Sequence, residues 1–169
     1  MKVFLVWVCL STVLHSTLAI QCRDLVHKKE EIMECCKAQD FIFHENLAAC
    51  EQEHDGKGLK GIQMWPCVME CLFERNGLLN GGLIDTDKLI AKAEALNDDF
   101  KDKAVEITKD CVLHMEKQNV TNNDRRACGV SPLKMALCIG RGYIHHCPAN
   151  KWTSSEVCDK LRSRDCFQI

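Results

Sequence analysis

The stretch Ile62-Gln63-Met64-Trp65-Pro66-Cys67-Val68-Met69-Glu70-Cys71-Leu72-Phe73-Glu74-Arg75 decides the fold. Side chains three and four residues apart share one face of a helix. Cys67 and Cys71 therefore lie one turn apart on one side, while Ile62, Trp65, Met69, Leu72 and Phe73 fall on the other. Such a helix is tied on one face and buried on the opposite one. Gly77 and the Asn80-Gly81-Gly82 turn end it.

Helical spacing continues in both directions. Upstream, residues 24–38 predict a helix with Leu25, Ile32, Cys35 and Cys36 inward among the charges of Lys28, Lys29, Glu30 and Glu31, and residues 45–53 predict a second that stops before Asp55-Gly56. Downstream, Asp85 or Thr86 can cap a helix over 87–96. Asp98 or Asp99 can cap a longer one reaching Gln118, with Ala104, Ile107, Cys111 and Met115 on one stripe. Ser131-Pro132 reads as a helix start, the serine as cap and the proline in the first turn. That helix carries Leu133, Ala136, Leu137 and Gly140 on one stripe and Met135, Cys138 and Ile139 on another, which predicts burial all round. Pro148 closes the region, and Thr153 with Glu156 forms a capping-box pattern for a last short helix through Leu161. Only three prolines and nine glycines interrupt the chain, and no stretch shows convincing strand alternation, so the expected class is all-α.

The N-terminus has Lys2, an apolar run from Val3 to Leu14, and then Ser16, Thr17, Leu18 and Ala19, the layout of a signal peptide cleaved after residue 19. An apolar run of about 12 residues falls short of the roughly 20 that a membrane-spanning helix needs. The expected organisation is a signal peptide over 1–19 and one helical domain over 20–169, of which 148–169 form a C-terminal extension. Cys9 leaves with the signal, so 12 cysteines remain, an even number in an oxidising compartment where thiols pair. These are Cys22, Cys35, Cys36, Cys50, Cys67, Cys71, Cys111, Cys128, Cys138, Cys147, Cys158 and Cys166. Loss of Lys2 takes the formal charge from -2 to -3, with both signs interspersed, a balance that attracts neither nucleic acid nor an anionic membrane. Secretion, with no membrane insertion, is the expected fate. Asn119-Val120-Thr121 is an acceptor pattern for N-glycosylation in a polar loop.

From Cys67 onward the residues between successive cysteines number three, 39, 16, nine, eight and ten, and Pro148 follows Cys147 directly. This ladder, with Cys35-Cys36-Lys37 and Cys50 upstream, resembles the insect odorant-binding proteins, specifically their Plus-C subclass, over nearly all of residues 22–169. The resemblance implies a compact, disulfide-stapled bundle of about six helices around an apolar cavity, and a carrier of small hydrophobic molecules that catalyses nothing. It implies bonds from Cys67 to Cys138 and from Cys111 to Cys147, and one from Cys71 to Cys36 or Cys50. Cys128, Cys158 and Cys166, with the remaining early cysteines, would pin the polar loop and the tail. The 16-residue gap before Cys128 sits at or just below the family's range, which bears on the pairing of that cysteine.

Candidate pocket walls are Met69, Leu72 and Phe73 on the double-cysteine helix, Leu89, Ile107 and Met115 on the middle helices, and Met135, Ala136 and Ile139 on the last long one. Tyr143 is the single phenol able to anchor a ligand's polar atom. A membrane odorant receptor and a second copy of the chain are the macromolecular partners that the resemblance leaves open, and no cofactor is implied. His145-His146 beside Cys147 suggest a metal site or a protonation switch; a zinc site would need further ligands at suitable spacing, and an oxidised cysteine is not one, so the switch is the more tenable of the two. Other classes fit less well. The vicinal Cys35-Cys36 is similar to that of secreted phospholipase A2, yet Gln39 stands where its catalytic histidine belongs. Asp85-x-Asp87 fails as a calcium loop because Ile90 occupies the glycine position and Leu96 that of the closing glutamate. The remaining alternative is a secreted interaction protein or inhibitor with a filled core.

Overall fold

The computed structural model describes residues 28–42, 46–55, 63–118 and 128–163. Among them run seven α-helices, namely α1 (Lys29–Met33), α2 (Leu47–Asp55), α3 (Trp65–Arg75), α4 (Thr86–Glu94), α5 (Lys101–Lys117), α6 (Ser131–His146) and α7 (Glu156–Arg162). A 3-10 turn, Ala149–Lys151, follows α6, and two short strands, β1 (Leu79–Asn80) and β2 (Leu83–Ile84), stand between α3 and α4. The chain divides into two compact units, one of Met1–Cys35 with Trp152–Ile169 and one of Cys36–Lys151.

In the larger unit, α3 starts with Pro66 in its first turn, where the missing N–H leaves no bond unmade. It buries Cys67, Val68, Met69, Cys71, Leu72 and Phe73, so that both its faces are covered. Its end is a Schellman motif. Gly77, at φ +68°, donates from its N–H to the Glu74 carbonyl at 2.9 Å, and the Leu78 N–H reaches the Phe73 carbonyl at 2.8 Å. Leu78, fully enclosed, seals the turn.

The hairpin that follows corrects the expectation of no strand. Leu79 pairs with Ile84 and Asn80 with Leu83, across Gly81 and Gly82 at φ +60° and +81°. Positive φ at both central residues is the type I′ geometry that matches strand twist. Asp85 then caps α4, its carboxylate accepting the Lys88 N–H at 3.1 Å. That bond and the Lys88 ammonium hold the Asp85 carboxyl below its ordinary pKa.

Ahead of α5 the cap position is Phe100, rather than Asp98 or Asp99. Asp98 acts one step earlier, its Oδ1 accepting the Phe100 N–H at 2.7 Å and its carbonyl the Lys101 N–H at 3.0 Å. At α6, Val130 is the cap, and Ser131 is the first helical residue, buried with its hydroxyl unpartnered. Nor is α6 buried all round, since Leu137 is 41% exposed. The helix packs against α3, α5 and β2. Its approach to α5 depends on Gly142, where a Cβ would stand 2.3 Å from Ile107 Cγ2.

Five disulfides form among the described residues, and they correct the expected pairing. Cys67 bonds to Cys128, Cys111 to Cys138 and Cys147 to Cys36, while Cys71 takes Cys50. Ordered along the chain as 50, 67, 71, 111, 128 and 138, the first of these cysteines joins the third, the second the fifth and the fourth the sixth. The expected ladder was displaced by one rung. The cause is the placement of α6, whose start lies beside α3, with the Gly129 N–H donating to Glu70 Oε2 at 3.2 Å. That brings Cys128 to Cys67, and Cys138, further along, falls against α5.

In the smaller unit α1 is a five-residue helix with no buried residue, shorter than the expected 24–38, of which residues 24–27 lie outside the described part. Here Cys35 bonds to Cys158, and the Thr153 N–H donates to the Cys35 carbonyl at 2.9 Å. Ser155, not Thr153, caps α7 by accepting the Cys158 N–H at 3.2 Å. Cys22 and Cys166 lie outside the described residues, as do Asn119 and the segment read as a signal.

Candidate functional site

All ten candidate pocket residues fall in the larger unit. Met69, Leu72, Phe73, Leu89, Ile107, Met135, Ala136, Ile139 and Tyr143 share one buried cluster, and the half-buried Met115 packs against it. Four helices supply them, α3, α4, α5 and α6, each through the stripe that its helical spacing sets. The cluster also takes in Val68, Leu78, Phe100 and Ala104, which the sequence reading did not place on the site. For Phe100 the signal was present. Carrying the Ala104, Ile107, Cys111 stripe back one turn lands on it.

Leu72, Phe73 and Leu89 have no accessible surface, so protein atoms surround them on every side. Tyr143 stands edge-on to Phe100, ring centroids 5.1 Å apart, and its hydroxyl donates to the Gln39 carbonyl at 3.5 Å. Burial, reinforced by the negative charges of Asp40 and Asp98, pushes its phenol above the ordinary range, so it remains a neutral donor.

Beside this ring pair a polar clip ties three stretches of the unit. Asp98 accepts the Phe100 N–H, the Gln39 N–H at 3.1 Å and the Lys151 ammonium, which also meets Asp99. The Asn97 N–H donates back to Gln39 Oε1 at 3.2 Å, and the Lys37 N–H to the Lys151 carbonyl at 2.9 Å. Burial alone would raise the Asp98 pKa, but Lys151 and the two backbone N–H donors outweigh it and hold the carboxyl well below the usual carboxylate range. Asp98 and Asp99 in turn raise Lys151. A polar surface hollow of about 380 Å³, lined by Leu96, Asn97, Asp98, Asp99, Lys101 and Asp102, opens next to the clip.

His145 and His146 occupy the last turn of α6, where positive charge suits the helix C-terminus. Among the described residues no three His, Cys, Asp or Glu side chains converge to hold a metal, and no helix is long and apolar enough to cross a membrane.

No family model matches the chain. Two curated proteins do. The chain is similar to mosquito odorant-binding proteins. General odorant-binding protein 68 of Anopheles gambiae is 26% identical over 147 residues, covering 80% of this chain and 68% of the relative. Odorant-binding protein 47 of the same species is 24% identical over 149 residues, covering 77% and 65%. The chain thus spans about two thirds of the length of each relative. The likeness is to insect odorant-binding proteins, in a chain whose described residues form a disulfide-stapled helical fold.

Proposed function

We propose that the protein is a secreted, non-enzymatic carrier of the odorant-binding type, of the Plus-C subclass, that takes up small hydrophobic molecules within the α3–α6 cluster. The observation that carries this reading is the convergence of the ten candidate residues on one apolar cluster in a chain whose relatives are named odorant-binding proteins. Because Leu72, Phe73 and Leu89 are enclosed, a ligand is admitted by side-chain rearrangement rather than by an open mouth. Met69, Met115 and Met135 are suited to that, since an unbranched thioether repacks around several shapes. Tyr143 would anchor a ligand's polar atom by exchanging the Gln39 carbonyl for it.

A ligand burying about 300 Å² of apolar surface gains roughly 7 to 8 kcal/mol at about 25 cal/mol per Å². Association costs of about 4 kcal/mol or more leave at most about 3 to 4 kcal/mol, roughly millimolar affinity, before any hydrogen bond through Tyr143 is added. The test is titration of the refolded protein with a naphthylamine dye that brightens in apolar surroundings, followed by displacement with volatile alcohols, esters and long-chain aldehydes. Saturable brightening reversed by these compounds is expected, and it should weaken in Met135→Ala and Ile139→Ala. A dye that neither brightens nor is released overturns the carrier reading in favour of a secreted interaction protein with a filled core, which the enclosure of Leu72, Phe73 and Leu89 favours.

A further inference from the structure

The chain contains two Asn-Gly pairs, Asn76-Gly77 and Asn80-Gly81, four residues apart and identical in their covalent chemistry. In such a pair the glycine backbone nitrogen attacks the asparagine Cγ and closes a five-membered succinimide. The glycine N–H proton is lost, and the side-chain nitrogen departs as ammonia. Water then opens the ring at one of its two carbonyls, leaving an aspartyl or an isoaspartyl residue. Glycine permits this because it has no side chain to obstruct the approach and its backbone turns freely. What separates the two pairs is their surroundings.

Asn76 is held at both ends of its amide. Its Nδ2 donates to the Ile42 carbonyl at 3.2 Å, and its Oδ1 accepts from Asn46 Nδ2 at 3.4 Å. The attacking nitrogen is held too, since the Gly77 N–H is bonded to the Glu74 carbonyl within the Schellman motif. Asn80 is exposed, and among the described residues neither its amide nor the Gly81 N–H has a hydrogen-bond partner. A Cβ at Gly81 would meet nothing within 4 Å, so solvent and base reach the turn freely. Two residue pairs, Leu79↔Ile84 and Asn80↔Leu83, with the Asp85 N–H to Leu78 carbonyl bond of 2.9 Å beyond them, resist the backbone rotation that ring closure needs. Short ladders at the surface open locally at little expense.

We propose that Asn80 is a spontaneous modification site, converting through a succinimide to a carboxylate at position 80, and that Asn76 is its structurally protected counterpart. The product places a negative charge at the exposed turn, and its isoaspartyl form adds a methylene to the backbone. That methylene breaks the Asn80↔Leu83 pairing in a hairpin whose second strand packs against α6.

Trypsin cleaves after Arg75 and Lys88, so both asparagines lie on one peptide, residues 76–88, and share its digestion and ionisation. The folded, oxidised protein is incubated at mildly alkaline pH, digested at intervals and fragmented by mass spectrometry to locate each gained carboxylate. Conversion at position 80 is expected to run about tenfold or more ahead of position 76, because the bonds holding Asn76 and Gly77 must open first. In reduced protein held unfolded in urea the two rates should converge. Folded Asn76 reacting as fast as Asn80 overturns the proposal. So does a folded Asn80 that stays intact while both sites react in urea.

Discussion

The two compact units stay folded by different means. The larger, Cys36–Lys151, buries an apolar cluster drawn from five helices, α2 to α6, and adds disulfides to it. Among its described residues the smaller has little to bury. Its α1 contributes no buried residue, and α7 contributes Val157, Cys158 and Leu161. Polar and covalent ties take over there. Besides Cys35–Cys158 and the Ser155 cap, Trp152 Nε1 and Ser154 Oγ both donate to the Asp159 carboxylate, at 3.3 and 3.0 Å. The Arg162 guanidinium lies 4.3 Å from the Trp152 ring centre. A segment with too little apolar surface to offset its chain entropy is ordered by cross-links and local bonds instead.

Deleting core volume breaks the contrast most directly. Phe73→Ala, at a fully enclosed position, should cost about 3 to 5 kcal/mol in denaturant unfolding. A smaller loss would mean that the cluster collapses readily around a void. The paired change Cys35→Ser with Cys158→Ser should cost about 2 to 4 kcal/mol of local order. Hydrogen exchange should then accelerate over Glu156–Arg162 while the amides of α3 and α5 keep their protection. Equal loss in α3 and α5 would make the two regions one cooperative structure. Ser155→Ala removes only a cap, so about 1 kcal/mol is expected, read as faster exchange of the Cys158 amide.

Acid should have the smallest effect. The Asp98 carboxyl titrates below its ordinary value of 3.8, so the clip's contribution is complete above that pH and is lost as pH falls through the lower folded value. Lys151 is raised above 10.5, so its contribution is complete below that pH and is lost as pH rises through the higher folded value. Between those limits the clip should add no pH dependence to the melting temperature. Asp98→Asn should lower the neutral melting temperature and flatten the acid limb. An unchanged acid limb would show that other carboxylates set it.

Helices were largely legible because they are local, but their ends only in part, since the caps of α5, α6 and α7 fall on Phe100, Val130 and Ser155. Asp85 capping α4 and Gly77 ending α3 need only neighbouring residues. The β1–β2 hairpin was missed since two-residue strands are too short to show alternation, although Gly81-Gly82 marked the turn. The cysteine partners were not legible for a different reason. Periodicity says which face a cysteine occupies, and both Cys128 and Cys138 could be brought to Cys67 until the start of α6 was fixed beside Glu70. The candidate site suffered the same limit. A stripe such as Met135, Ala136 and Ile139 reads identically whether it meets a ligand or Phe73 and Leu89, since apolar spacing encodes enclosure and not what is enclosed.

The neighbouring Cys35 and Cys36 take partners in different units, Cys158 and Cys147 respectively. In a secreted chain, as proposed above, both thiols would reach the oxidising compartment together, before either partner, and Cys147 would arrive first with two adjacent claimants. An exchange of partners would yield an isomer of unchanged mass, with no free thiol to betray it. Correct maturation is therefore a sorting decision between two adjoining sulfurs. A secreting cell rich in disulfide isomerase would favour a homogeneous product, and linkage mapping, rather than intact mass, would certify a recombinant preparation.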